Sequence, residues 1–390
     1  MKKCILYLLT SLYSVILSAQ TDRITLLFVG DLMQHQAQID AARTKDDTYD
    51  YTACFAKVKE QISKADLAIG NFEVTLGGKP YCGYPTFSAP DEYLVAIKDA
   101  GFDLLLTANN HCLDKGKKGL ERTILMLDSL RMTHCGTYLN DSQREKTYPL
   151  IIHKNGFRIA FLNYTYGTNG IQVRQPNIVN YINKEEILQD IRKAQAQCAD
   201  AIIACMHWGE EYQSLPNKEQ RELASWLIEH GVTHIIGSHP HVIQPIELLT
   251  EGNQQHLVVY SLGNFISNMS APHTDGGMML TLQLEKNTFS IPPHPFPLLL
   301  SLSSKQATLT YIPEAEESNS SITTRVADCH YTLVWTARPQ QTQKKQFYLL
   351  PITHSSDSLP QIARNKLIFF TKEARKLMKE HNIGPVYEKK

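Results

Sequence analysis

The sequence predicts an α/β fold with its functional groups gathered at the strand ends, and three observations carry that expectation. Apolar runs of strand length alternate with segments whose apolar residues recur at helical spacing. Six apolar runs end in clusters of Asp, Glu, Asn or His. An Asn155-Gly156 turn between two more apolar runs adds an antiparallel hairpin to the parallel pattern. In open α/β sheets, ligands bind beyond the carboxyl ends of the strands.

Taken in order, Ile24 to Val29 is a buried-strand pattern running into Gly30, Asp31 and His35. Thr52 to Ser63 reads as an amphipathic helix through Phe55, Val58 and Ile62. Asp66 to Ile69 is the next strand, followed by Gly70, Asn71 and Glu73. Residues 77–90 form a long Gly- and Pro-rich loop of the kind that rims a site. A helix over Tyr93–Ala100 leads to the strand Phe102–Leu106, which opens onto Asn109, Asn110, His111 and Asp114 before a helix over Lys118–Leu130. Met132–Gly136 is a short strand, and Leu150–His153 and Phe157–Asn163 form the hairpin. Lys184–Cys198 is helical. The strand Asp200–Met206 then ends in His207, with Glu211 beyond it. A helix over Glu219–Glu229 precedes the strand His234–Ile236, which ends in Ser238-His239-Pro240-His241. Val258–Leu262 leads to Asn264, and Met278–Leu284 has strand character. Residues 291–297 read as a proline-rich linker, 314–324 as a solvated loop, and Gln361–His381 as a terminal helix.

With 39 basic and 39 acidic residues, the chain has no global field that would draw in nucleic acid. Lys2 and Lys3, the apolar run Cys4–Leu17 and the small residues Ser18 and Ala19 read as a secretory signal over residues 1–19. A retained N-terminal anchor is the alternative. The expected location is therefore exported: periplasmic, at the cell surface or extracellular. Cys4 precedes the apolar run instead of ending it, which argues against a lipid-modified N-terminus. The seven later cysteines are scattered and set no disulfide framework; Cys198 and Cys205 lie in apolar contexts and read as core residues.

A sheet would bring Asp31/His35, Asn71/Glu73, Asn110/His111/Asp114, His207/Glu211, His239/His241 and Asn264 to one edge. These are the oxygen and nitrogen donors preferred by divalent Mn, Fe or Zn, and there are enough for two ions. Two such ions can share a carboxylate and clamp a phosphoryl displacement. In an extended segment, alternation would turn His239 and His241 toward one point.

On these motifs the sequence resembles the CapA-type capsule synthesis proteins, related to poly-γ-glutamate assembly proteins and similar to a branch of the calcineurin-like metallophosphoesterases. The resemblance spans roughly Thr25 to Asn268. It rests on Gly30-Asp31-x-Met33-x-His35, Gly70-Asn71-x-Glu73, Asn109-Asn110-His111-x-x-Asp114-x-Gly116, His207-Trp208-Gly209-x-Glu211-Tyr212, Gly237-x-His239-Pro240-His241 and Ser261-Leu262-Gly263-Asn264-Phe265. It implies a four-layer αββα sandwich of the metallophosphoesterase type over residues 24–270, with a mixed β/α extension over 271–390. It implies Asp31, His35, Glu73, Asn110, His207, His239 and His241 as metal ligands. His111 and Glu211 would be catalytic, with Asn71, Asn109, Asp114 and Asn264 in support. The implied partners are an envelope or capsule polymer or its phosphorylated precursor, together with membrane-bound synthesis machinery. Two functions stay open: a metal-dependent hydrolase, and a non-catalytic assembly factor that uses the site to hold a polymer, a metal or a partner.

Overall fold

The strand that organises the fold is β1 (Ser18–Leu32). Successive side chains of a strand face opposite ways. Leu26 and Phe28 accordingly enter the core between two sheets, whereas Leu27 and Val29 enter the core beneath a layer of helices. The structure is a computed structural model that describes residues 18–252, 254–290, 298–303, 306–311 and 322–389. Most of the expected signal segment, the linker at 291–297 and most of the loop at 314–324 lie outside the described residues. Among the described residues, no helix is long and apolar enough to cross a membrane.

After β1, helices α1 (Gln36–Ala42), α2 (Thr52–Phe55) and α3 (Lys59–Ser63) return the chain to β2 (Leu67–Asn71). The helix expected over 52–63 is split by a turn at 56–58, yet Phe55, Val58 and Ile62 all reach the same core. Helix α4 (Asp91–Ala100) leads to β3 (Leu104–Leu106), and α5 (Gly116–Ser129) leads to β4 (Thr133–Cys135). Strands β1 to β4 pair side by side in parallel.

Strand β5 (Thr137–Tyr138) and helix α6 (Asp141–Thr147) precede the hairpin of β6 (Leu150–Lys154) and β7 (Phe157–Thr165). Asn155 and Gly156 at its tip have φ of 48° and 78°, the left-handed pair that matches strand twist. Strand β8 (Ile178–Val179) pairs with β5. Helix α7 (Lys184–Ala196), β9 (Ala201–His207), α8 (Lys218–Glu229), β10 (His234–Ser238), β11 (Ile246–Glu251) and β12 (Gln254–Val259) complete the second sheet, ordered β11-β12-β10-β9-β7-β6. Cys205 lies buried in β9, but Cys198 is exposed just past α7, where a turn with φ of 53° carries it out of the expected core position.

Strand β13 (Asn264–Ile266) returns to pair with the end of β1, and β14 (Gly276–Ser290) runs antiparallel along β1, pairing Ile24 with Leu284. Strands β15 (Leu298–Ser303) and β16 (Gln306–Tyr311) form a separate hairpin. Strand β17 (Ile322–Ala337), helix α9 (Pro339–Thr342), β18 (Tyr348–Pro351), α10 (Gln361–His381) and β19 (Tyr387–Glu388) follow. Strands β14, β17, β18 and β19 all belong to the first sheet, so the C-terminal segment is built into it.

The two sheets meet through Leu26, Phe28, Ile69, Phe161 and Ile203. Helices α2 to α5 cover the first sheet through residues such as Phe55, Ile62, Ile97 and Leu127, and α7 and α8 cover the second through Ile187, Ile191, Ala224 and Leu227. The result is a four-layer αββα sandwich. The carboxyl ends of β1, β2, β3, β7, β9 and β10 open on one edge of it.

Candidate metal centre

Register places Asp31 between two asparagines: it pairs with Asn71 of β2 on one side and with Asn264 of β13 on the other. The close approach of β13 requires glycine at position 30, because a Cβ there would lie 1.8 Å from the Gly263 carbonyl oxygen. Asn71 Nδ2 donates to Asp31 Oδ1 at 2.8 Å and to Glu73 Oε2 at 3.3 Å. His241 Nδ1 lies 3.0 Å from Asp31 Oδ2 and 3.1 Å from Asn264 Oδ1. An Nδ1–H shared by these two acceptors leaves His241 Nε2 facing inward, 3.7 Å from Glu73 Oε1.

From the other sheet, His207 at the end of β9 has Nδ1 at 3.1 Å from Ser238 Oγ and Nε2 at 2.9 Å from Asn110 Oδ1 and 3.8 Å from Glu73 Oε1. Asn71 Nδ2 also lies 3.2 Å from His207 Nδ1; in the tautomer that gives Nδ1–H to Ser238, the Nε2 lone pair turns toward two oxygens. Lone pairs facing lone pairs call for a cation among them.

His239 and His241 flank Pro240 with φ of 99° and 60°. The segment is therefore a tight left-handed turn and not the extended strand expected from sequence. The turn still brings the imidazoles to one place, with ring centroids 5.8 Å apart. Non-glycine residues held at such φ cost free energy that the surroundings must offset, and they concentrate at functional sites.

The donors fall into two groups that share one carboxylate: Glu73 with His239 and His241, and Asp31 with Glu73 and His207. Glu73 Oε1 and His239 Nδ1 are buried without a hydrogen-bond partner. Burial, followed by the neighbouring Asp31, holds the Glu73 carboxyl well above the usual carboxylate range. Burial, then the imidazoles of His239 and His241, drives His207 well below the usual histidine range, and burial pushes His239 down to about 3. Unpaired buried lone pairs, a mixed oxygen and nitrogen donor set and a shared carboxylate fit divalent cations, which would reverse these preferences by their own charge.

The turn after β3 carries the rest of the site. Asn109 braces the loop, donating from Nδ2 to Phe72 O at 2.8 Å and accepting from His111 N–H at 3.1 Å. Asn110 points its Oδ1 at the cluster. His111 Nδ1 meets Asp114 Oδ2 at 2.7 Å, and Phe87 N–H donates to the same oxygen at 2.7 Å. Asp114 thus orients an imidazole; Lys115 is the N-cap of α5.

Two candidates stand apart. His35 is the N-cap of α1: its backbone N–H donates to Gln38 Oε1 at 2.8 Å, and its Nδ1 accepts from Asn268 N–H at 3.2 Å. It belongs to neither donor group, because three further residues carry it past the point where Asp31 enters the cluster. Burial, partly opposed by Gln38, lowers its pKa to about 4. Glu211 is exposed and lies at the rim, close enough for its charge to act on Glu73 and Tyr166.

Sequence reasoning missed the loop after β7. Tyr166 lies over the cluster, its ring 4.5 Å from His239 and 6.2 Å from His207 in a nearly parallel stack. Asn169 Oδ1 accepts from Asn110 Nδ2 at 3.2 Å. The signal was present: Phe157–Asn163 is an apolar run followed by Tyr166-Gly167-Thr168-Asn169-Gly170, the same pattern as the other strand ends without an ionisable ligand.

Comparison with known proteins gives the family. The capsule biosynthesis protein CapA of Bacillus anthracis is 28% identical over 286 residues, covering 70% of this chain and 66% of that protein. The match therefore spans just under two thirds of that relative. The PGA biosynthesis protein CapA of Bacillus subtilis is 27% identical over 280 residues, covering 68% of this chain and 69% of that protein. Among solved structures, a NAD nucleotidase from Haemophilus influenzae aligns with 92% of this chain and 68% of its own at 13% identity, with a TM-score of 0.45. Residues 25–269 match the family described as bacterial capsule synthesis protein PGA_cap, and the chain belongs to that family.

Proposed function

We propose that this chain is an exported, metal-dependent hydrolase that cleaves a phosphoester during synthesis of a capsule or other envelope polymer. The observation that carries this is Glu73, whose buried Oε1 has no hydrogen-bond partner and whose carboxylate belongs to both donor groups. Asp31, Glu73, Asn110, His207, His239 and His241 would hold the ions. Bound there, divalent metals supply Lewis-acid polarisation of a phosphoryl oxygen and an activated water at neutral pH.

The chain's own groups do the rest. Asn71 and Asn264 fix the carboxylate of Asp31 and the tautomer of His241. Asp114 accepts Nδ1–H of His111 and fixes the ring, so that a proton carried at Nε2 can pass to the leaving oxygen as the phosphorus–oxygen bond breaks. The phosphoryl group passes to water in the same reaction. Phe87, against the His111 ring at 4.6 Å, keeps water from that side of the imidazole. Lys2, Lys3 and the apolar run to Leu17 support export. The family and its curated relatives support a capsule role; on this reading the substrate is the polymer or its phosphorylated precursor, and the neighbour is membrane-bound synthesis machinery.

The test is metal analysis of the purified protein with hydrolysis of bis(p-nitrophenyl) phosphate under added Mn. Asp31→Ala and His239→Ala should each lower both metal content and rate. Full metal and full rate in both variants would sink the site assignment. Full capsule rescue by His111→Ala would instead favour an assembly factor that does no chemistry here.

A further inference from the structure

Tyr166 faces two ways. Against the metal centre its ring packs on His239. It also lines a cleft of ≈ 530 Å³ that runs between the end of β9 and the start of α8. The residue is 48% exposed.

The chemistry of the cleft is one-sided. Glu210, Glu219 and Glu222 line it, and Lys184 is the one ammonium among its described lining residues. Lys184 Nζ sits 5.2 Å over the Trp226 ring, and Lys218 reaches Glu222 at 3.5 Å from outside the lining. Among the described residues, no guanidinium lines the cleft. At the start of α8, Asn217 Oδ1 takes Gln220 N–H and Gln220 Oε1 takes Asn217 N–H. Carboxylate acceptors and an exposed aromatic face suit a hydroxyl-rich, uncharged ring, whose O–H groups donate and whose C–H face stacks. The same wall repels a polyanion.

We propose that this cleft binds a glycosyl group, seated on Tyr166, and that this group is the leaving group of the ester cleaved at the metal centre. Its description as a leaving group rests on the hydrolase reading above; its description as a glycosyl subsite does not. On this assignment an anionic amino-acid polymer does not enter here.

The experiment is calorimetric titration of the Mn-loaded full chain with the 1-phosphates of glucose, galactose and N-acetylglucosamine, with inorganic phosphate as the reference. Tri-γ-glutamate is the anionic competitor. Methyl glucoside, followed by saturation-transfer NMR, reads the cleft without any phosphate. At least one sugar phosphate should bind roughly ten-fold or more tighter than phosphate, which corresponds to about 1.4 kcal/mol. The advantage should collapse in Tyr166→Ala and in the Glu219→Gln/Glu222→Gln double variant, which lies away from the metal ligands. The inference falls if none of the three beats phosphate, or if tri-γ-glutamate binds better than all of them. Sugar binding without hydrolysis of any ester would keep the subsite and remove the hydrolase reading. Hydrolysis of bis(p-nitrophenyl) phosphate without a sugar preference would do the reverse.

Discussion

His111 and Asp114 form an orienting pair: Nδ1 lies 2.7 Å from Oδ2, and both side chains are almost fully shielded from solvent. The same carboxylate oxygen receives the Phe87 amide, so its position is fixed from two elements. Asp114→Asn keeps the shape but can no longer hold Nδ1–H with a negative charge. The expected outcome is a fall in kcat of roughly 10- to 100-fold with metal content unchanged. Steady-state kinetics alongside metal analysis of the same preparation checks it.

The shared position of Glu73 makes metal stoichiometry diagnostic. Removing His207 takes a donor from one group only, whereas removing Glu73 takes one from both. His207→Ala should therefore retain about half of the wild-type metal, and Glu73→Ala should retain almost none. Elemental analysis after dialysis measures this, and equal losses in the two variants would contradict the two-group arrangement.

His35 should behave differently. Its Nδ1 is occupied by Asn268 N–H, and it stands outside both donor groups. His35→Ala is expected to leave metal content at the wild-type level while costing about 1 kcal/mol of stability, because Asn268 N–H loses its acceptor. Chemical denaturation and metal analysis together separate the two effects.

Acid should destabilise the metal-free protein earlier than an average fold. Burial lowers His234 and His239 to about 3 and His35 to about 4, so between those values and 6.5 the unfolded chain takes up protons that the folded chain refuses. Stability contributed by these neutral imidazoles is present above pH 6.5 and is lost as pH falls, by about 1.4 kcal/mol per pH unit for each group. Glu73, held protonated by burial, has the opposite sign above its ordinary range: its contribution weakens as pH rises. Urea denaturation between pH 7.5 and 5 should show a falling midpoint, and a flat profile would contradict this assignment.

Much of this was legible in the sequence because the parallel strands repeat one pattern, an apolar run closed by glycine or by polar residues. That pattern was enough to place Asp31, Glu73, Asn110, His207, His239 and His241 on one edge. It could not tell which neighbours of a strand end turn inward. His35 and Glu211 share motifs with true cluster members, and only the turn geometry separates them. Tyr166 escaped notice because a tyrosine followed by glycine, threonine and asparagine looks like an ordinary loop until the fold sets its ring on two histidines. The pairing of β14 and β17 with β1 was also invisible, since strand partners far apart in sequence leave no local trace.

That long-range pairing governs when β1 can be completed. One edge of β1 stays open until residues up to Ser290 are available to cover it, and the Asp31 ligand sits at the end of that same strand. Contacts this remote in sequence close late and fold slowly. A ribosome must therefore complete most of the chain before the first ligand strand is secured. The donor cluster at the strand ends is therefore assembled late, after the strands that flank β1 are in place.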